Sequence, residues 1–177
     1  MKIFVETERL ILREILPTDL EGMYALDSDP EVHKYLGNQP VTSKDQVADT
    51  IQYIRQQYVD YGIGRWAVID KSTHAFMGWS GLKWVTEPTN NHQYYYDLGY
   101  RLIPKFWGKG IATETAIASL AYAFDQLEAD SVYAAASGAN TGSNRVLRKI
   151  GMQFIETFYY EDILCNWYKL ERMEYNG

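Results

Sequence analysis

Residues 104–116, PKFWGKGIATETA, set Gly108 and Gly110 one residue apart directly ahead of a run with helical character. The N–H groups of a helix's first turn have no partners within the helix and carry a partial positive charge, and glycines ahead of them let an anion approach the bare backbone. GKGIAT therefore reads as a phosphate cradle, in which Lys109 adds a charge and Thr113 a hydroxyl. The alternative is that Gly108 and Gly110 only make a tight turn between a strand and a helix. A P-loop needs four residues between its glycines and then Lys followed by Ser or Thr, which this spacing does not supply. A dinucleotide fingerprint needs a third glycine where Thr113 stands, a strand running straight into the loop, and an acid at the end of the next strand. Here PKFW separates strand from loop, and Asp130 precedes the next strand.

Outward from the loop, the chain alternates strands and helices without a linker or repeat. ERLILREI (8–15) is rich in Leu and Ile and reads as a first strand. Thr18 with Glu21, and Ser43 with Gln46, have capping-box spacing and are expected to open a short and a longer helix. In the second, Val47, Ile51, Ile54 and Tyr58 form one apolar stripe, expected to be core. After Gly62 and Gly64 the pattern changes to RWAVID (65–70), AFMGWSGLKWV (75–85) and QYYYDLGYRLI (93–103), three strands of an antiparallel meander. A helix from about Lys109 to Leu127 follows, with Ala116, Leu120, Phe124 and Leu127 on one face. Then come a buried strand SVYAAAS (131–137), a short helix SNRVLRKI (143–150) closed by Gly151, and two strands, MQFIETFYY (152–160) and ILCNWYKLE (163–171). The fold class is mixed α/β (α+β), ordered strand, two helices, three strands, helix, strand, helix, two strands.

Composition narrows the function classes. A chain of 177 residues, 46% hydrophobic, suits one domain over residues 1–177 with a substantial core. A formal charge of -6 argues against direct nucleic-acid binding and suits a cationic small molecule or peptide. One cysteine, Cys165, excludes an internal disulfide, and His33, His74 and His92 lack ligand spacing, so no metal is expected. Acids and arginines in MKIFVETERLILREI stand where a signal peptide needs an apolar core, and no run approaches membrane-spanning length, so we expect a cytoplasmic protein without membrane association.

The loop resembles the acyl-CoA pyrophosphate loop of the GNAT N-acetyltransferase superfamily, whose pattern is Arg or Gln, two residues, Gly, one residue, Gly or Ala. Here the register gives Lys105, Gly108 and Gly110, followed by Ala112, with Lys105 in place of the usual Arg or Gln. YDLGYRLIPKFWGKG (96–110) is similar to the family's central strand, where an acid, an apolar residue, Gly and Tyr precede an apolar residue and Pro. NTGSNRVLRKIGM (140–152) resembles the segment with Asn, a Ser three residues on, and a closing Lys, one residue, Gly and an apolar residue. TERLILREILPTDLEGM (7–23) and DPEVHKYL (29–36) look like the branch that acetylates ribosomal-protein N-termini (alanine or serine) and other amines. The resemblance runs from Glu8 to about Leu170. It implies a GNAT fold with a central, mostly antiparallel sheet flanked by helices, acetyl-CoA as co-substrate, and a primary amine on a protein N-terminus or a small molecule as acceptor.

Attack of an amine on a thioester needs a held donor, a neutral amine, a stabilised oxyanion and a protonated leaving thiolate. The resemblance assigns the donor to Lys105, Gly108, Lys109, Gly110, Ile111, Ala112 and Thr113, and the oxyanion to a free N–H at Leu102 or Ile103, where Pro104 interrupts the ladder. Asp97 is the candidate base. An ordinary aspartate, with a pKa of about 3.9, is a weak base near neutrality and needs a raising environment or a water relay. The alternative for Asp97 is a strand charge, solvated or paired with Arg101 on the same face. Ser143 is the candidate donor to the thiolate, and Asn140, counted with Asp97 and Ser143 among the catalytic candidates, is expected to contact the pantetheine arm or an ordered water, while both also sit where the next helix needs an N-cap. Tyr94, Tyr95, Tyr96, Tyr100, Tyr159 and Tyr160 are alternative proton donors. Trp66, Trp79 and Trp84 fill core or line an acceptor pocket, and Cys165 is expected to be buried and inert. DSDPE (27–31) and YYEDI (159–163) are either solvated charge or a hint of a cationic acceptor. Two further readings stand beside the transferase: a non-catalytic acyl-CoA sensor, and a nicotinamide-dinucleotide enzyme. The state of assembly is expected to be a monomer or a homodimer, the last two strands being free to pair with another copy.

Overall fold

The computed structural model describes residues 1–177. Eight strands form one sheet: β1 (Ile3–Glu6), β2 (Leu10–Glu14), β3 (Arg65–Asp70), β4 (Phe76–Val85), β5 (Tyr95–Leu102), β6 (Ser131–Ser137), β7 (Gln153–Tyr160) and β8 (Ile163–Glu171). Their order is β1-β2-β3-β4-β5-β6-β8-β7, and every pairing is antiparallel except β5 with β6. Helices α1 (Leu20–Asp27), α2 (Pro30–His33) and α3 (Lys44–Tyr61) pack on one face; α4 (Ile111–Asp125) and α5 (Thr141–Lys149) pack on the other.

Alternation along the strands builds the two core layers. Leu12, Trp66, Leu82, Leu98, Leu120 and Phe124 are buried on the α4 side, and Ile15, Met23, Leu26, Val47, Ile51, Ile54 and Ala67 on the α3 side. In α3 the Ser43–Gln46 box forms as expected, and Gly62 ends the helix in a left-handed conformation at φ 69°. The expected stripe of α4 holds for Ala116, Leu120 and Phe124, all buried.

Several local expectations need correction. The chain has an extra edge strand, β1, and a third short helix, α2, whose N-cap Asp29 accepts the Glu31 N–H. The Thr18–Glu21 box does not form. Residues Pro17–Asp19 make a 3-10 turn, and the buried Asp19 carboxylate takes the Leu16 N–H and the Arg13 guanidinium, so α1 starts only at Leu20. Helix α4 is shorter than expected at both ends: Lys109 precedes it and Leu127 follows it. Trp66 is buried beneath Phe4 and Tyr122, whereas Trp79 and Trp84 are only half-buried. Cys165, by contrast, is buried as expected, and that burial pushes its thiol pKa up.

Beside the first residues of the meander, β4 runs unusually close to β5. Gly78 has φ 141°, and a Cβ there would lie 2.2 Å from the Arg101 carbonyl oxygen. Backbone cannot move aside as a flexible side chain can, so Gly78→Ala is expected to destabilise the protein by about 3 kcal/mol in denaturant unfolding. Gly62→Ala, where a Cβ meets nothing within 4 Å, is expected to cost only about 1 kcal/mol for its positive φ.

Candidate functional site

The loop after β5 is built by three local devices. Pro104–Phe106 form a 3-10 turn, and the Trp107 indole donates to the Leu102 carbonyl at 2.8 Å. Gly108 and Gly110 then take left-handed conformations, φ 72° and 75°, with Gly110 as the N-cap of α4. Glu114 is the first residue of the helix whose N–H is satisfied, by the Gly110 carbonyl at 3.0 Å, and the N–H groups of residues 108–113 have no hydrogen-bond partner within the chain. This stretch contains Gly108, Lys109, Gly110, Ile111, Ala112 and Thr113, the residues expected to hold the donor. The Ile111 side chain is buried in the core, so only its backbone faces the loop. Lys105 and Lys109 hold their ammonium groups 5.0 and 5.9 Å from the centre of the Phe106 ring, beside the turn. A groove of about 420 Å³ runs along α4, lined by Thr7, Gly110, Thr113, Glu114, Ile117 and Lys149 among others.

A gap opens next to this loop. Strands β5 and β6 pair only through Tyr96 with Val132 and Asp97 with Tyr133, and part beyond that point. Ile103 is excluded as a free donor, since its N–H bonds to the Met77 carbonyl at 3.0 Å. Strand alternation sends the N–H of Leu102 to the opposite edge, toward the gap.

Across the gap stands α5. Asn140 is its N-cap, the side-chain oxygen accepting the Ser143 N–H at 3.1 Å. Capping therefore falls to Asn140 alone, and the Ser143 hydroxyl is free to meet the Tyr100 hydroxyl at 3.0 Å; Tyr100 also reaches the Ser143 carbonyl at 3.1 Å. Of the tyrosines named above, Tyr100 is the one in contact with Ser143. Burial pushes its pKa up to about 12. Asn144, which the sequence reading passed over, is buried: its amide donates to the Ser137 and Asn140 carbonyls, and its oxygen accepts from Asn166 and Tyr168. Its spacing from Leu147, i to i+3 on the buried face, was the available clue.

Asp97 lies on the other face of β5. Its partner is Arg65 of β3, whose guanidinium binds the Asp97 carboxylate and donates to the Gly81 and Asp97 carbonyls at 2.7 Å each. The expected pairing with Arg101 does not occur. Four residues of strand separate the two by roughly 13 Å, and Arg101 instead binds Asp27 at 2.8 Å. Gly99 leaves no empty space, because Arg65 fills it: a Cβ there would lie 2.8 Å from Nη2. The Trp79 ring lies between the guanidiniums of Arg65 and Arg101, at 5.2 and 5.1 Å. Asp97 Oδ1 makes no hydrogen bond within the chain. Asp27 and Asp29 of DSDPE are committed to Arg101 and to capping α2, which removes them as a cation-attracting pair. His33 lies with Nε2 3.9 Å from Asp27, and its pKa is lowered, by burial first and then by Arg101.

Asp97 thus projects from one face of the sheet, and Ser143, on α5, meets Tyr100 on the other. No group of three or more His, Cys, Asp or Glu is arranged to hold a metal ion, and no helix is long and apolar enough to cross a membrane.

Tyr100→Phe is expected to cost about 1 kcal/mol at neutral pH through the lost hydrogen bonds. Because the folded pKa stands above the ordinary value of 10, the wild type should lose stability as pH rises from about 10 to 12. Denaturant titrations across that window should show a smaller loss for Tyr100→Phe, a residual loss remaining from Tyr95, which burial pushes up to about 12, and from Tyr58, Tyr96, Tyr122 and Tyr175, which burial also raises.

A family profile described as "Acetyltransferase (GNAT) domain" matches residues 9–153. The chain is 31% identical over 149 residues to the uncharacterized N-acetyltransferase YoaA of Bacillus subtilis, covering 84% of this chain and 82% of that protein. Among solved structures, it resembles a GNAT-family acetyltransferase from Bacillus anthracis at 25% identity and TM-score 0.80, covering 98% of this chain and 100% of that one. It also resembles RimL, a ribosomal L7/L12 alpha-N-protein acetyltransferase in complex with coenzyme A, in fold alone: 18% identity, TM-score 0.80, 96% of this chain and 98% of that one.

Proposed function

The chain belongs to the GNAT acetyltransferase family, and from that premise we propose that it moves an acetyl group from acetyl-CoA directly to a primary amine, with the whole of residues 1–177 acting as one domain. Membership disposes of the dinucleotide enzyme as a reading of the loop; an inactive acyl-CoA sensor would share the fold, and thiol release over a panel of amines separates it from the transferase. The observation that carries the proposal is the run of unpartnered N–H groups at 108–113 beside the parted strands β5 and β6. Successive N–H groups at a helix N-terminus suit a diphosphate, and a gap leading from them suits the pantetheine arm.

In this reading the Leu102 N–H and Asn140 border the pantetheine arm, and the thioester carbonyl lies further along the gap toward Asp97, because five residues of strand, about 16 Å, separate Asp97 from Leu102. The amine enters from the α3 side, where the free Oδ1 of Asp97 accepts one of its protons directly or through a water. A C–N bond forms, the C–S bond breaks, and one amine proton is released. The thiolate leaves toward Ser143 and Tyr100. Tyr100 has one hydroxyl hydrogen; when it goes to Ser143 Oγ, the serine hydrogen is free for the sulfur. A protein N-terminus, as for RimL, and a small primary amine, as for a spermidine N-acetyltransferase of the same fold, both fit this chemistry.

The first test is a calorimetric titration with acetyl-CoA beside NADH. Micromolar binding of acetyl-CoA without NADH supports the donor site, and no acetyl-CoA binding overturns it. Gly110→Val puts a branched side chain at φ 75° on the cradle and should weaken acetyl-CoA binding by more than about tenfold in a folded variant. Asp97→Asn should lower kcat by at least about tenfold, the low end for loss of a general base, with acetyl-CoA affinity within a few fold. Full activity of this variant across the pH range would remove Asp97 from the mechanism.

A further inference from the structure

The turn between β1 and β2 grips the phosphate loop from behind. Thr7 and Leu10 close that turn, the Thr7 N–H bonding to the Leu10 carbonyl at 2.9 Å and the Leu10 N–H to Thr7 Oγ1 at 3.0 Å, which fixes where Arg9 leaves the chain. Arg9 then makes two contacts about a hundred residues away: Nη2 donates to the Lys109 carbonyl at 2.7 Å and Nε to Glu114 at 2.6 Å. Thr7 Oγ1 donates to the other Glu114 oxygen at 2.6 Å. Both Glu114 oxygens are thereby held on the β1–β2 side.

Resting on the acetyl-CoA reading above, we propose that Arg9 is a positioning residue for the diphosphate of the donor. Glu114 lies in the first turn of α4, where a carboxylate interacts favourably with the helix's positive end and so competes with a bound phosphate. Arg9 neutralises that carboxylate and, with Thr7, holds it away from the loop. The same fork anchors the Lys109 carbonyl, the oxygen of the peptide that joins Lys109 to Gly110. With that oxygen fixed against β2, the Gly110 peptide N–H attached to the same plane is held pointing the opposite way, toward the cradle. A lysine cannot serve both contacts, since one ammonium lacks the planar fork. Arg9 is about half exposed, and an ion pair at that exposure contributes little to stability, so the role reads out in ligand binding and not in folding.

The experiment compares two donors, acetyl-CoA and S-acetylpantetheine, which lacks the diphosphate. Dissociation constants are measured for the wild type, Arg9→Met and Arg9→Lys, with thermal melts as the control for folding. Arg9→Met is expected to weaken acetyl-CoA by about tenfold or more while S-acetylpantetheine stays within about twofold; Arg9→Lys should show the same donor dependence with a smaller loss. An equal loss for both donors, or unchanged acetyl-CoA affinity, overturns the role of Arg9. A wild type that binds no acetyl-CoA overturns the donor reading itself, so the two failures are distinguishable.

Discussion

The parting of β5 from β6 is the constraint on which the site depends. Each strand is secured on its other side, β5 along its whole length by β4 and β6 by β8, so the sheet survives with only Tyr96 and Asp97 joined to Val132 and Tyr133. The cost falls on backbone groups beyond Asp97 that lose their ladder partners, since buried N–H and C=O groups must be satisfied. The Leu102 carbonyl takes the Trp107 indole, and Tyr100 spans the gap to Ser143. Among the groups this edge turns toward the gap is the Leu102 N–H, close to the loop at residues 108–113.

Charge on the α3 side is arranged in closed pairs. Asp19 is held by Arg13, Asp27 by Arg101 and Asp97 by Arg65, so the buried acids there are all matched. Such pairs add little net stability, but losing one partner leaves a buried charge alone. The two guanidiniums near Trp79 are each matched by a carboxylate, so that wall is nearly neutral overall. The chain's excess of acid therefore lies elsewhere, at exposed positions such as Glu161 and Asp162.

The sequence made the fold legible wherever one short-range pattern decided it. The Ser43–Gln46 box, the stripe of α3, the three meander strands and the glycine-led start of α4 all depend on residues within one or two turns of each other. Failures came where a distant partner won. Thr18 had the right spacing for a cap, yet Arg13 drew Asp19 into that place; Arg101 shared a face with Asp97, yet Arg65, 32 residues away, took the carboxylate. Strand β1 escaped notice because four residues carry too little alternation to register. Within the candidate site, the loop glycines could be found from their spacing and Asn140 and Ser143 from the family resemblance, whereas the contacts of Arg9, Arg65 and Tyr100 join separate strands and helices, and no sequence period encodes them.

The pairing of Tyr100 with Ser143 also limits what either can do for the departing sulfur in the proposed reaction. An ordinary thiol has a pKa of about 8.5, while burial has pushed Tyr100 up to about 12. Proton transfer from this tyrosine to a thiolate is therefore uphill by roughly three to four pH units, and a serine hydroxyl is a poorer acid still. Both groups act more effectively as hydrogen-bond donors that stabilise the anion as it forms, a role in which a high pKa is no obstacle because the proton need not move. The proton that the thiolate eventually acquires then comes from the amine by way of solvent. In the proposal Asp97 receives it first, so the two halves of the chemistry need no direct contact across the sheet.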